Sequence, residues 1–264
     1  MLPPLVVLSI LASTVAASAH LNIVHGTEAA VGVAPYVVSV RLDNAAASTT
    51  CSGVLVAPRF VLTAAHCVFD GSKQYASIGS HFGNGTTDGE RISVQLATRH
   101  PRYNITSKDF DFAVLKLTYR PRIVHAQPIA ISWDVYPPGT LAMHRGFGIV
   151  NYTTYLSVPA LQETPTLIRP DADCSARTTI KLTANMLCTI GGTSCRGDSG
   201  GPLTVRDATG QDKLIGISSW GDTKCESFAV FSRVAGARDF IEDLIDVIDD
   251  DDVPPERYPR LYPQ

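Results

Sequence analysis

The sequence predicts an all-β body capped by one helix near its C-terminal end. Three observations carry that expectation. Short alternating or β-rich runs recur, among them YVVSVRL, GVLVA, FVLT, RISVQLA, FAVLKL, PLTV, KLIGISSW and FAVFS, each the length of one strand. Gly, Pro, Asn and Asp separate them, the turn punctuation of a barrel or a sandwich. Helical periodicity is nearly absent until ARDFIEDLIDVI, where Phe240, Ile241, Leu244, Ile245 and Ile248 share one stripe, so an amphipathic helix is expected to pack on the β body there.

From the N-terminus onward, residues 1–19 hold an apolar run from Leu5 to Leu11 and small residues ending in Ala17, Ser18 and Ala19. That is the pattern of a secretory signal peptide with an A-x-A-like cleavage site. The run is short for a membrane anchor, and no other segment reaches spanning length, so no membrane association is expected. The body that follows has room for one sizeable domain or two small lobes within the 264 residues. Six cysteines would pair in an oxidising compartment, although spacing alone leaves the pairing open. Asn84-Gly85-Thr86, Asn104-Ile105-Thr106 and Asn151-Tyr152-Thr153 fit the N-glycosylation pattern, and together these features point to a secreted, extracellular protein, expected as a monomer. A formal charge of −3 without a Lys/Arg cluster leaves no footing for nucleic acid or anionic lipid. The tail, residues 249–264, joins four consecutive aspartates to several prolines and is expected to be disordered. No metal is expected on it, because consecutive carboxylates without a Gly-bearing loop stay solvated.

Three short patterns carry chemistry. In LTAAHC, His66 follows an apolar strand beside Cys67, where a crosslink would hold its imidazole rigidly for proton transfer near neutral pH. In DFDFAVLKL, Asp111 enters a buried strand and needs a partner for its charge, for which a histidine Nδ1 proton is suitable; Asp109 competes for that role from the same strand face. In TSCRGDSGGP, Ser199 needs an adjacent base, and the glycines around it let backbone N–H groups approach a developing oxyanion.

These motifs, in the order His, Asp, Ser, resemble the chymotrypsin/trypsin family of serine peptidases, from Ile23 to about Ile248. An esterase of the α/β-hydrolase type is excluded, since it would place the histidine last and the serine before a helix. The resemblance implies His66 as base, Asp111 in preference to Asp109 as orienting carboxylate, Ser199 as nucleophile, and the N–H groups of Gly197 and Ser199 as the oxyanion hole. It implies two six-stranded antiparallel β-barrels with a C-terminal helix, the first over about 23–124 and the second with the helix over about 125–248, the site lying between them. It implies disulfides Cys51–Cys67, Cys174–Cys188 and Cys195–Cys225, and no cofactor. NIVHG resembles the family's mature start, so a short propeptide, residues 20–22, would be removed from a zymogen and the freed ammonium of Ile23 would pair with Asp198. Asn22 stands where Arg or Lys is usual, which points to an Asn-specific protease or exopeptidase trimming in place of trypsin-like activation.

For specificity, the resemblance puts Thr193 at the floor of the pocket for the side chain before the cut bond, with Ser219, Trp220 and Gly221 along one wall and Ala229 on the other. A neutral hydroxyl supplies no countercharge, so cleavage after Lys or Arg is not expected. The Ala229 methyl should favour small or medium apolar side chains. Asn104 falls in the loop before Asp111, where an attached glycan is expected to point to solvent. Ser80 replaces a ligand carboxylate of calcium-binding trypsins. The expected function is a secreted serine endopeptidase acting on protein or peptide substrates, with an activating protease as a further partner. The alternative is a catalytically silent member that binds other extracellular proteins; His25, Ala229 and Gly146-Phe147-Gly148 are departures that could disturb the site.

Overall fold

The structure, a computed structural model, describes residues 26–42 and 49–245. Ile23, His25, Ile248, the expected signal and propeptide segments and the acidic tail lie outside the described residues. β1 (Thr27–Glu28) precedes β2 (Val37–Arg41), β3 (Cys51–Ala57), β4 (Phe60–Thr63), β5 (Tyr75–Ile78), β6 (Glu90–Arg99) and β7 (Ala113–Leu117). The last six close a barrel in the order β2-β3-β4-β7-β6-β5. The β-branched runs explain the choice of strand, since they pack well on a pleated surface. β2 is buried along its whole length: Val38 and Val40 enter the core, while Ser39 and Arg41 on the alternate positions bond the Thr49 hydroxyl and the Gly83 carbonyl.

β8 (Ala130–Ile131) leads into the second half: β9 (Leu141–Gly146), the hairpin β10 (Ile149–Asn151) and β11 (Leu156–Ser157), β12 (Gln162–Arg169), β13 (Met186–Ile190), β14 (Pro202–Arg206), β15 (Asp212–Gly221) and β16 (Ala229–Arg233). Here β12, β13, β16, β15, β14 and β9 form a second closed ring, with β9 returning antiparallel to β12 over Gly146↔Gln162 to Leu141↔Leu167. The expected pair of six-stranded antiparallel barrels is therefore the fold. Leu187, Leu203 and Phe231 fill the second barrel, and Val54, Leu62 and Leu115 the first.

Three short helical pieces show no signal in the sequence: α1 (Asp171–Ser175) and 3-10 turns over Ala65–Cys67 and Val234–Ala237. All are too short to display a period. The expected helix is α2 (Arg238–Ile245); Ile241 is fully buried, and Phe240, Leu244 and Ile245 pack with it against the core cluster of the first barrel. The chain thus ends its second barrel and reaches back to the first. Disulfides join Cys51–Cys67, Cys174–Cys188 and Cys195–Cys225, leaving no cysteine free.

Candidate active site

β4 ends at Thr63, and the turn Ala65–Cys67 that follows lifts His66 out of the sheet while Cys67 is tied to Cys51 in β3. Asp111 lies two residues before β7 and is fully buried. Its carboxylate accepts three hydrogen bonds: from the His66 backbone N–H at 3.0 Å, the His66 Nδ1 at 2.7 Å and the Ser219 hydroxyl at 2.6 Å. With the Nδ1 proton held by the carboxylate, Nε2 is left as the basic nitrogen. Asp109 goes elsewhere: its Oδ1 accepts the Thr183 hydroxyl at 2.7 Å and Asn185 Nδ2 at 3.1 Å, both just ahead of β13 in the second barrel. Of the two competing aspartates, Asp111 is the one the imidazole meets.

Ser199 stands in a tight turn before β14, with the Asp198 N–H donating to the Cys195 carbonyl at 3.0 Å and the Gly201 N–H to the Asp198 carbonyl at 2.8 Å. The turn is pressed onto the first barrel. The Ser52 N–H donates to the Ser199 carbonyl at 2.8 Å, and Gly200, at φ +85°, approaches so closely that a Cβ there would lie 2.1 Å from Thr63 Oγ1. Ser199 is thereby held beside the segment that carries His66, across the cleft between the barrels. Among the described residues no hydrogen bond joins its hydroxyl to the imidazole, so the constellation is closed on the Asp–His side and open on the Ser–His side. The N–H groups of Gly197 and Ser199 have no acceptor among the described residues, which leaves both donors available to an anion. Ser52 orders this segment as well, its hydroxyl donating to the Gly197 carbonyl at 2.9 Å and accepting from the Phe147 N–H at 3.2 Å.

The fully buried Asp198 carboxylate accepts the N–H groups of Gly148 at 2.8 Å and Cys195 at 2.9 Å. Burial pushes its carboxyl up to about 7, with the two N–H donors pulling the other way. No cation pairs with it among the described residues.

A pocket of roughly 320 Å³ opens beside Ser199, lined by Ser219, Trp220 and Gly221 together with Tyr152 and Arg196. Thr193 and Ala229 do not line it. They are 1 % and 0 % exposed and do not reach its surface. The cause is the loop 222–228. The Asp222 carboxylate collects the N–H groups of Lys224, Glu226 and Ser227, drawing the loop in, and the Thr193 hydroxyl donates to the carbonyl of Cys225. The short loop closes over the residue expected to greet the substrate.

The family model for trypsin matches residues 23–241. The chain belongs to the trypsin family. Among its relatives, Transmembrane protease serine 9 of Rattus norvegicus is 32 % identical over 256 residues, covering 92 % of this chain but 24 % of its own length. Glucanase inhibitor protein 2 of Phytophthora infestans is 31 % identical over 219 residues, covering 81 % of this chain and 85 % of its own. Glucanase inhibitor protein 1 of Phytophthora sojae is 30 % identical over 226 residues with the same two shares, 81 % and 85 %.

Within this trypsin-family chain, sequence reasoning placed Ser219 on the substrate wall and missed its bond to Asp111. It also passed over Ser52, Asp222 and Arg196. Nothing in the local pattern of Ser52 or Arg196 marks them, because each acts on a segment remote in sequence, and Asp222 organises only its own loop. The side chains of Cys51, His66 and Cys67 come close enough together to resemble a metal cluster, but the two sulfurs are bonded to each other. Asn104 and Asn151 are exposed and Asn84 is half-buried. Among the described residues no helix is long and apolar enough to cross a membrane.

Proposed function

We propose that the chain is a secreted serine endopeptidase in which Ser199 is the nucleophile, His66 the general base and Asp111 the carboxylate that orients it. The observation that carries this reading is the buried Asp111 bonded to His66 Nδ1, in one cleft with Ser199 and two unengaged N–H groups. Ser199 Oγ would attack the carbonyl carbon of a peptide bond while His66 Nε2 takes its proton. The carbonyl electrons move onto the oxygen, which the N–H groups of Gly197 and Ser199 stabilise. Collapse breaks the C–N bond, His66 returns the proton to the leaving amine, and water later frees the acyl group by the same route. Asp111 stays ionised and holds the imidazolium. The pocket is walled off from Thr193, so we assign cleavage to bonds after small, or at most medium, apolar side chains.

Activation in this reading is the entry of the Ile23 ammonium beside Asp198, whose burial without a cation costs the ionised form. Cutting after Asn22 generates that terminus. Three disulfides support export, and with it glycosylation at Asn84, Asn104 and Asn151.

A second reading, a silent member that binds another protein, is favoured by the missing Ser199–His66 bond, the burial of Thr193 away from the pocket and the relatives named as glucanase inhibitors. One experiment separates the two. Protein beginning at Ile23 is treated with a fluorophosphonate probe and with a peptide library, with Ser199→Ala as control. Labelling of Ser199 and cleavage after Ala, Val or Leu support the peptidase. Refusal of the probe by protein with that N-terminus supports the binder, and cleavage mainly after Lys or Arg overturns the pocket assignment.

A further inference from the structure

The oxyanion segment carries an exposed cation that the proposed chemistry does not use. Arg196 lies between Cys195 and Gly197 and lines the same pocket as Ser199. Its backbone carbonyl accepts the Ile149 N–H at 2.8 Å, and its guanidinium carbon lies 5.2 Å from the centre of the Tyr155 ring, so the hairpin β10–β11 fixes it at both ends. Tyr152, which also lines the pocket, packs its ring 5.7 Å from that of Tyr155. Among the described residues no carboxylate pairs with Arg196. The acidic group nearest in the pocket wall, Asp222, is already saturated by N–H donors and a hydroxyl of its own loop.

We propose that Arg196 is a specificity residue that binds the carboxylate of an Asp or Glu side chain adjacent to the bond entering the cleft. This rests on the peptidase reading only in assuming that an extended peptide occupies the cleft. A guanidinium presents planar paired donors that match a carboxylate, and a charge-assisted bond beside a half-enclosed pocket is stronger than one in open water. The pocket and its cationic rim divide the work, with shape selecting the small residue and the Arg196 charge, which the loop-bound Asp222 does not pair, selecting its neighbour.

The test reads binding without turnover. Mature Ser199→Ala protein is titrated, by fluorescence anisotropy, with C-terminally amidated peptides that differ only in Glu or Gln beside a central Ala-Ala. The expected result is roughly three- to tenfold tighter binding of the Glu peptide, weakened by added salt. Arg196→Gln on the same background should bring the two peptides to parity, and Tyr155→Leu should reduce the preference. Equal affinities, no binding of either peptide, or a preference unchanged by Arg196→Gln overturns the proposal. So does a preference that appears only when the Gln peptide carries a free C-terminal carboxylate, because the site would then read a chain end and not a side chain. Chain with Ser199 intact separates this from the proposed function. If it fails to cut either peptide while the binding preference persists, the peptidase reading falls and the anion site stands. If it cuts both peptides equally and binds them without preference, the peptidase reading stands and the anion site falls.

Discussion

Asp111 has no exposed surface and takes three hydrogen bonds, one of them from a hydroxyl on the opposite barrel. Ser219→Ala removes that donor and leaves the carboxylate one partner short, a loss of about 1–3 kcal/mol for a buried charged acceptor. The expected outcome on peptide substrates is kcat lowered roughly tenfold with KM little changed, since the imidazole is held less firmly. His144 offers a separate measurement. It is fully buried in the second barrel, edge-on to Phe231 at 5.1 Å, donating Nδ1–H to the Pro202 carbonyl at 3.1 Å and leaving Nε2 without a partner. Burial pushes its pKa down to about 4. Below about pH 6.5 the unfolded chain binds a proton that the native imidazole refuses, so stability falls on acidification until about pH 4, by up to about 3 kcal/mol. Asp198, shifted upward by burial, works in the opposite direction over much of that window. Denaturant melts of His144→Gln and of the unmutated chain at about pH 7.5 and about pH 4 isolate the histidine, because Asp198 acts alike in both: on acidification the variant should lose less stability than the unmutated chain, or gain more, by up to about 3 kcal/mol.

Among the elements, the loop 222–228 shows how one side chain shapes a pocket. Asp222→Ala removes the acceptor that gathers four N–H groups, those of Lys224, Glu226, Ser227 and Phe228, and the Ser227 hydroxyl. The loop should relax away from Thr193, and the preferred side chain before the cut bond should grow; a cleavage profile unchanged from the parent protein contradicts this account. Residues 146–148 answer to a different constraint. A Cβ on Gly148 would lie 2.5 Å from the Asp198 carboxylate, and Gly197, at φ +96°, already sits against the Gly148 backbone. Gly148→Ala is therefore expected to displace Asp198 and lower the rate of fluorophosphonate labelling at least about a hundredfold, the scale of a lost oxyanion donor. Eight of the sixteen described strands were legible as short β-rich runs, the barrel strands β5, β9, β12 and β13 not among them, and α2 was legible from its stripe. The turn that presents His66 was not, since a single helical turn is set by the disulfide and by Asp111 and not by a period.

Across the whole molecule the cleft depends on the barrels holding register. Asp109 is one of the ties, a first-barrel carboxylate bonded to Thr183 and Asn185 of the second. Asp109→Ala should destabilise the fold by about 1–3 kcal/mol and slow Ser199 labelling, while Asp109→Asn, which keeps an acceptor oxygen, should restore most of both. The helix α2 is another tie, setting the Phe240 ring 4.6 Å from that of His100, which follows β6 of the first barrel, after the chain has completed the second.

What the sequence determined by itself was local: strand-length runs, the amphipathic stripe, the presence of His66, Asp111 and Ser199 in motifs, and the even set of cysteines. Family resemblance extended this to two barrels and to the choice between Asp111 and Asp109. Tertiary structure alone decided that Ser219 shares the Asp111 carboxylate, that Asp109 ties the barrels together, that Thr193 lies behind the pocket wall, and that Arg196 faces the cleft without a carboxylate. The reason is physical. Periodicity and turn chemistry act over neighbouring residues, whereas a hydrogen bond between Asp111 and Ser219 spans 108 positions and exists only once both barrels have closed.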